Sequence, residues 1–400
     1  MQTAEHSYRR VVWPLAIAET ILWAGMYYMF PALLPDWEQD LGWSKTELSG
    51  AFTLALVSAA LLAPFVGRLI DHGYGRRVFA GGAFLGVAML LTLSRIDALW
   101  QFYAVFFGLG VAMSSTLYEA CFAILTHALG TRSKKAITLV TLVAGFAGSV
   151  SFPSAHALAA AFGWRTTVVV FAGAIALVAI PLIWIGSSQA QRHAEGQRHA
   201  TSGNASQALG VIRTPAFWLL AVAFMMIAID HAMLITHILP ILSDRGIHDQ
   251  AAVLAASMIG PMQVSGRLAM MAAERHVSTL AIAMGCYLTM ALAAAALLGM
   301  VSIPGLVAVF VILQGAGYGV TSIMRPVVIA ELFGRANFGV VAGMLAIPFM
   351  GGYALAPTLA ALLWKTGGYD VVIVLAMLAS LCGLVCLVMA WQSRAGPVPG

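Results

Sequence analysis

Four ionisable residues lie deep inside apolar stretches of this 400-residue chain. They are Glu19, Glu119, Asp230 and Arg325, and they fall in the first, fourth, seventh and tenth of twelve hydrophobic segments. A charge at the centre of a membrane helix costs about 2.5–3.5 kcal/mol even on a lenient insertion scale. We therefore expect all four side chains to face a protein interior or a hydrated cavity, where they can bind protons, ions or a solute.

The tenth segment carries a polar stripe that leads to Arg325. Gln314, Tyr318, Thr321 and Ser322 precede it at intervals that place all five residues on one helix face. Lipid offers such a stripe no hydrogen bonds. We predict that these five side chains contact the solute, and helix packing is the alternative.

The first segment combines an acid with an aromatic stripe. Glu19 shares a helix face with Trp23, Met26, Tyr27 and Phe30. We predict that Trp23 and Tyr27 contact an apolar part of the solute, although helix packing is the commoner origin of such a stripe. Glu19 is predicted to act in proton coupling or gating.

The fourth and seventh segments supply further candidates for proton coupling or gating. Asp230 and His237 share a face two turns apart, whereas His231 points elsewhere. A desolvated acid near a histidine is a suitable proton-carrying pair. Glu119 and Arg325 occupy nearly equivalent positions in the two halves of the chain. One hypothesis is that they pair in one conformation and separate in another, and a static structural pair is the alternative.

The composition excludes a soluble globular protein. The chain is 61% hydrophobic and only 9% charged, with a mean hydropathy of +0.90, whereas soluble domains are about a quarter charged. The net charge of +5 fits the excess of Lys and Arg on cytoplasmic loops better than nucleic-acid binding. All four cysteines fall within apolar segments, which indicates buried thiols and no disulfide framework.

The hydrophobic segments are each long enough to cross about 30 Å of hydrocarbon as a helix. Their estimated bounds are 11–35, 46–70, 77–94, 98–126, 135–160, 165–187, 214–242, 250–273, 278–300, 303–330, 337–364 and 369–391. With both termini cytoplasmic, fifteen of the 21 Lys and Arg residues lie inside and five lie outside. This excess predicts cytoplasmic termini and, by implication, a location in the inner membrane.

A polar stretch over 188–213 divides the chain into halves that echo each other. It predicts a six-helix bundle over 1–187, a cytoplasmic linker, and a second six-helix bundle over 214–400. The triplet at 67–69 recurs at 266–268, and the triplet at 163–165 resembles that at 368–370. A glycine pair in the fourth segment recurs in the tenth. Nearly constant offsets in corresponding segments indicate a duplicated unit.

A basic, glycine-rich loop connects the second and third segments and reads GRLIDHGYGRR over 67–77. Glycines permit a tight turn, and the arginines are placed to bridge neighbouring helices. The loop resembles the hallmark of the major facilitator superfamily, G-x-x-x-D-[RK]-x-G-x-x-[RK]-[RK] with variable spacing. Gly67, Asp71, Arg76 and Arg77 match that conformational motif, and Gly75 takes the role of its second glycine.

The match has departures. His72 stands where Arg is usual, and Tyr74 stands where Gly is usual. The copy in the second half keeps Gly266 and Arg267 but has Met270 at the Asp position. The resemblance implies an all-α integral membrane protein with twelve transmembrane helices in two pseudo-symmetric bundles. It also implies that the first, fourth, seventh and tenth helices line a central cavity.

We therefore predict a secondary transporter that moves a small organic solute by alternating access with proton coupling. Arg325 suits a carboxylate or another organic anion. The alternative is a proton-antiport exporter of amphipathic or cationic compounds, which the excess of acids over bases favours. Neither an H-E-x-x-H nor a G-x-S-x-G motif is present, so we do not expect an enzyme. The predicted partners are a solute, protons and the bilayer, with no metal, cofactor or nucleic acid and a monomeric state.

Overall fold

The fold is that of a helical membrane protein. The computed structural model describes residues 2–129, 132–194, 210–334 and 338–393, and these ranges contain helices and short connections with no strand. Nine helices in the described ranges are long and apolar enough to cross a membrane. The all-α membrane class predicted from composition is confirmed.

The chain divides into two compact units, Met1–Ala200 and Thr201–Gly400. The boundary falls inside the polar stretch for which we predicted a linker. Helix continues to Ala194, beyond the predicted bundle end at 187. Residues 195–209 of the predicted linker lie outside the described residues.

The first unit contains nine α-helices and three π-helical turns within its described residues. The α-helices are α1 Gln2–Leu22, α2 Met29–Leu41, α3 Lys45–Leu69, α4 Gly75–Leu93, α5 Leu99–Thr116, α6 Tyr118–Leu129, α7 Ser133–Ala144, α8 Ala147–Ala174 and α9 Ile180–Ala194. The π-helical turns are Trp23–Tyr28, Ile70–Tyr74 and Ile175–Ala179. The first predicted segment is thus one continuous helix with a π turn at its centre.

The second unit has fewer interruptions in its described part. Its helices are α10 Pro215–Thr236, α11 Ile238–Asp244, α12 Asp249–Ala273, α13 Thr279–Gly299, α14 Leu306–Phe333 and α15 Phe338–Gln392. The backbone leaves the helical conformation within α8 at Gly163 and within α15 at Gly367 and Gly368. Divided there, the helices of both units overlap all twelve predicted segments.

Local sequence explains where several helices begin and end. Ser44 and Glu47 form the predicted capping box at the start of α3, with the Ser44 amide donating to the Glu47 carboxylate at 2.8 Å. Thr214 and Pro215 start α10 as N-cap and first helical residue. Gly163 has a φ of +79°, a left-handed conformation that glycine adopts without steric cost.

Aromatic packing fills the core of the first unit. The rings of Phe30 and Phe52 stack with centroids 4.2 Å apart, and Phe106 meets Phe30 edge to face at 5.6 Å. Trp37 packs against Phe102 at 5.3 Å. All five side chains are fully buried. Phe30, part of the aromatic stripe on the first segment, therefore belongs to the core.

Glycines bring α14 close to its neighbours in the second unit. A Cβ added at Gly319 would lie 2.6 Å from the Cα of Gln263, and one added at Gly266 would lie 2.6 Å from the Cα of Ala316. The Arg267 side chain also donates to the Gly319 carbonyl at 2.8 Å. Glycines thus allow close approach between α12 and α14.

Two ion pairs occupy equivalent places in the two units with opposite polarity. Asp40 after the first segment pairs with Arg165 at 2.8 Å, and Trp164 donates to the same carboxylate at 2.7 Å. In the second unit, Arg245 pairs with Asp370. Both members of the second pair lie 205 positions after their counterparts in the first. The ion pair thus recurs at equivalent positions of the two halves, with the acid and the arginine exchanged.

The arginine side chains of these two ion pairs differ in their exposed fraction, and this difference gives our first prediction. The Arg245 side chain is 4% exposed, whereas that of Arg165 is 42% exposed. Asp370→Asn leaves a nearly buried guanidinium without its counter-charge, so we expect a loss of about 3 kcal/mol in the free energy of unfolding. Arg165→Gln breaks a solvent-screened pair and should cost about 0.2–1 kcal/mol. Thermal unfolding of the purified protein in detergent measures both.

The matched control copies the polarity of the first unit into the second. Arg245→Asp combined with Asp370→Arg should recover most of the stability that Asp370→Asn loses. Equal losses from Asp370→Asn and Arg165→Gln, with no recovery in the exchanged variant, would contradict this account.

Candidate functional site

Two backbone irregularities lie next to acidic residues of the first unit. A π-helical turn over Trp23–Tyr28 begins four residues after Glu19. The fourth segment is interrupted at Leu117, which has extended backbone angles between α5 and α6, two residues before Glu119. Irregular helices inside a membrane are tolerated where protein or water satisfies the backbone, and they commonly mark binding sites.

Glu19 is fully buried in the first unit. Its surroundings include the Cys121 thiol, the Trp23 indole and the carboxyl of Glu119. Neither thiol nor indole meets strict hydrogen-bond geometry with it, so both carboxyl oxygens lack a hydrogen-bond partner in the described part of the chain. An ionised carboxylate without compensation is costly in such a place. The site favours a neutral carboxyl group or a bound cation.

Partly exposed aromatic rings lie near these acids. Trp23, Tyr28 and Tyr118 are half-buried, and the Trp23 ring lies 4.7 Å from Tyr118 and 6.4 Å from Tyr28. Glu119 is exposed. Tyr27 is 1% exposed and packs against Phe52 in the core. The solute contacts of Trp23 and Tyr27 stay predictions.

A polar cluster surrounds Asp230 in the second unit. Its Oδ2 accepts a hydrogen bond from the Ser380 hydroxyl of α15 at 2.8 Å, and its Oδ1 lies 3.4 Å from Nε2 of Gln314 on α14. The same Nε2 lies 3.4 Å from Nδ1 of His231. The His231 ring stacks on Tyr318 with centroids 3.3 Å apart. Asp230 therefore connects three helices through neutral groups.

His237 does not take the predicted place beside this acid. It lies at the junction of α10 and α11, where its Nε2 is 3.1 Å from the Pro357 carbonyl and its Nδ1 is 3.4 Å from the Tyr369 hydroxyl. His231, which we expected to point elsewhere, joins the cluster instead. The reason is the length of Gln314, whose amide reaches two successive residues of α10.

The polar stripe on α14 divides into buried and accessible parts. Gln314 and Thr321 are buried, and Thr321 donates to the Gly317 carbonyl within its own helix. Ser322 is exposed and Tyr318 is half-buried. The five residues share one helix face, as predicted, but part of that face is buried within the second unit.

Arg325, at the end of that stripe, is half-buried between aromatic rings. Its guanidinium lies 3.5 Å from the ring centroid of Phe349 and 5.5 Å from that of Phe224. Stacking on aromatic faces holds a planar guanidinium in one orientation.

The motif loop adopts a turn whose details differ from the prediction. Gly73, with a φ of +89°, provides the left-handed residue, whereas Gly75 is helical and packs on Ile124. Arg76 of α4 lies over the Trp184 ring of α9 at 4.5 Å and donates to the Ser188 hydroxyl at 3.4 Å, so it bridges two helices as predicted, and Arg77 is exposed.

The other two motif residues are Gly67 and Asp71. A Cβ added at Gly67 would meet no atom within 4 Å. The side chain of Asp71 lies outside the described residues.

Two members of the Asp230 cluster were missed from the sequence. Ser380 is one hydroxyl in an apolar segment, and serine is common in membrane helices. His231 was set aside because it lies about 100° around the helix from Asp230. Within the described ranges, no group of three or more His, Cys, Asp or Glu side chains could hold a metal ion.

The contrast between the two buried acids gives a second prediction. Asp230→Ala leaves the Ser380 hydroxyl and the Gln314 amide without their acceptor, which should cost about 1–3 kcal/mol in unfolding free energy. Glu19→Gln removes no partnered group and should change stability by less than about 1 kcal/mol. Thermal unfolding of both variants, with Asp230→Asn as the isosteric control, tests this. A Glu19→Gln variant as unstable as Asp230→Ala would contradict the described geometry.

Comparisons with known proteins identify the family by sequence and the fold by structure. The sequence model of the Major Facilitator Superfamily matches residues 15–293. A structural match at a TM-score of 0.69 and 14% identity covers 98% of this chain and 99% of the other. That match is a bacterial homologue of the human lysosomal transporter Spinster, in an inward-facing, unoccupied conformation. No curated protein sequence matches significantly. On the family match over more than half of its length, the chain belongs to the major facilitator superfamily of membrane transporters.

Proposed function

We propose that this transporter couples proton movement to the transport of a small organic anion by alternating access between its two units. The observation that carries the proposal is the pair of fully buried carboxyl groups, Glu19 and Asp230, one in each unit. Neither forms an ion pair among the described residues, and the partners of Asp230 are neutral. A buried carboxylate in such surroundings is neutralised when it takes up a proton or binds another cation.

The anionic nature of the solute rests on Arg325. Its guanidinium is half-buried and oriented by two rings, in a helix that also presents Ser322 and Tyr318. Guanidinium groups bind carboxylates through two parallel hydrogen bonds, which gives both strength and orientation. We infer that a carboxylate or similar anion binds there during transport.

The alternative, an exporter of amphipathic or cationic compounds, is favoured by one feature of the first unit. Trp23 and Tyr118 form a half-buried aromatic surface close to the exposed Glu119. Aromatic faces combined with a carboxylate bind organic cations well. The two candidates differ in the residue that the solute requires, so a single pair of substitutions separates them.

The third prediction concerns ligand recognition. A thermal-shift screen of small carboxylates and amphipathic amines on purified protein should yield carboxylate hits, because a ligand at 100 times its Kd stabilises the fold by about 2.7 kcal/mol. Arg325→Ala should abolish the shift, and Arg325→Lys should weaken it, since an ammonium cannot reproduce planar stacking.

The control for this screen is Arg95→Ala, which removes an exposed arginine and should leave the shift unchanged. Amine hits that survive Arg325→Ala and vanish in Glu119→Gln would favour the exporter instead.

The fourth prediction concerns coupling. In proteoliposomes, an inward proton gradient should drive accumulation of the carboxylate found in the screen, up to about tenfold per pH unit for one proton. Asp230→Asn and Glu19→Gln should lose this accumulation while retaining exchange of internal for external solute. Glu274→Gln, which alters an exposed acid, is the matched control. Gradient-driven accumulation that persists in both neutral variants would overturn the assignment of coupling to these groups.

A further inference from the structure

The Gln314 amide lies between two groups that change their hydrogen-bonding character with protonation. Its nitrogen is 3.4 Å from a carboxyl oxygen of Asp230 and 3.4 Å from Nδ1 of His231. Its oxygen is buried and has no hydrogen-bond partner among the described residues, and the same holds for Nε2 of His231. All three side chains are at most 1% exposed.

A primary amide has two donors on one side and two acceptor positions on the other, and rotation about its terminal bond exchanges them. In the orientation described, the nitrogen donates to an ionised Asp230 and to an unprotonated Nδ1. His231 then carries its proton on Nε2. In the reversed orientation, the oxygen accepts from a protonated Asp230 and from a protonated Nδ1. Each orientation satisfies both neighbours for one protonation state of the acid.

We propose that Gln314 is a two-position switch that reads the protonation state of Asp230 and transmits it to the tautomer of His231. The inference rests on the proposed function, because it requires Asp230 to take up a proton. In that step, hydronium gives a proton to the carboxylate and becomes water, an O–H bond forms on Asp230, and the charge of the carboxyl group changes from −1 to 0. The amide then reverses. The Nε2–H bond of His231 breaks as a transient water molecule takes that proton, an Nδ1–H bond forms as water delivers one, and the imidazole stays neutral.

Ser380 completes the arrangement without switching. Its hydroxyl donates to the other oxygen of Asp230 at 2.8 Å, so the carboxyl group stays attached to α15 while the amide of α14 reverses. A hydroxyl can also donate a hydrogen bond to the carbonyl oxygen of a protonated, neutral carboxyl group. The change is thereby confined to Gln314 and His231.

The switch ends at a surface that a solute can reach. His231 stacks on Tyr318, which is half-buried and shares a helix face with Arg325. When its proton moves to Nδ1, Nε2 of His231 changes from donor to acceptor. Protonation of a fully buried acid thus reaches the accessible part of α14 without a charged group crossing the bundle.

Other titratable groups do not account for this chemistry. The described surroundings of Asp230 include hydrogen bonds from Ser380 and Gln314 and no charged side chain. The titratable or charged side chains of the helices packed here are His231 on α10, His237 at its C-terminal end, Asp249 and Arg267 on α12, Cys286 and Tyr287 on α13, Tyr318, Arg325 and Glu331 on α14, and Tyr353, Lys365, Tyr369, Asp370, Cys382 and Cys386 on α15. Among these, His231 is joined to the acid by Gln314.

The test is nitrogen NMR of full-length protein labelled at histidine, recorded in detergent across the range in which such groups titrate, about pH 5 to 8. His231→Asn assigns the signal. Infrared difference spectra over the same range follow the carbonyl band of a protonated Asp230, which Asp230→Asn removes. We expect His231 to carry its proton on Nε2 at high pH and on Nδ1 at low pH, with the same midpoint as the infrared band.

Two variants separate a switch from a passive packing role. In Asp230→Asn the side-chain oxygen accepts from Ser380, so the amide nitrogen faces Gln314 as a donor at every pH and should hold His231 in the Nδ1-protonated form throughout. Gln314→Met keeps the side-chain length and removes the amide, so His231 should keep one tautomer while Asp230 still titrates. Thermal unfolding shows that each variant is folded. Ser380→Ala should preserve the tautomer change.

The outcomes that overturn the proposal are distinct. A single tautomer in the wild-type protein while Asp230 titrates would make Gln314 a static partner and leave the proposed function intact. Tautomer exchange that persists in Gln314→Met, or a doubly protonated His231 at low pH, would also overturn the switch. The absence of any infrared band that depends on Asp230 would overturn both the switch and the assignment of proton coupling to this acid.

Discussion

Hydrocarbon offers no hydrogen bonds to a polar group, and the rest of this structure depends on that constraint. The backbone is helical through nearly all of its described length because only helices satisfy their own amides in lipid. The same constraint turns Glu19 and Asp230 inward. It also restricts irregular backbone to protected places, such as the turn at Trp23–Tyr28 and the break at Leu117, both of which lie next to acidic residues.

Both units are helical, but the polar groups around their buried acids differ. Glu19 lies near a thiol, an indole and a second carboxyl group without a hydrogen bond of good geometry, whereas Asp230 is joined to α14 and α15. The ion pairs at Asp40 and Arg245 show the same divergence, since the contact is retained and the charges are exchanged. The position of this ion pair is the same in both units, although its residues differ. Helix packing tolerates a change of charge only where the partner residue changes with it.

A carrier needs protonation at one place to alter solute contacts at another. The second unit has a short route for this, from Asp230 through Gln314 and His231 to the half-buried Tyr318. A neutral amide and a neutral imidazole suit the route, because neither incurs the cost of moving a charge through a low-dielectric interior. Arg325 lies two turns further along the same helix, so one element presents both the solute-binding group and the end of the protonation signal.

The sequence by itself determined the membrane class, the positions of the helices, the duplication and the identity of the intramembrane charges. These follow from hydropathy, segment length and the energetic cost of charge in lipid, which depend on the chain alone. Only the tertiary structure decided that Gln314 and Thr321 are covered, that Tyr27 belongs to the core and that His231 rather than His237 joins Asp230. Helical periodicity assigns a residue to a face, but the rotation of each helix against its neighbours and the reach of long side chains decide which faces meet. Ser380 illustrates this limit, because one hydroxyl in an apolar helix acquires a role only when packing brings an acid to it.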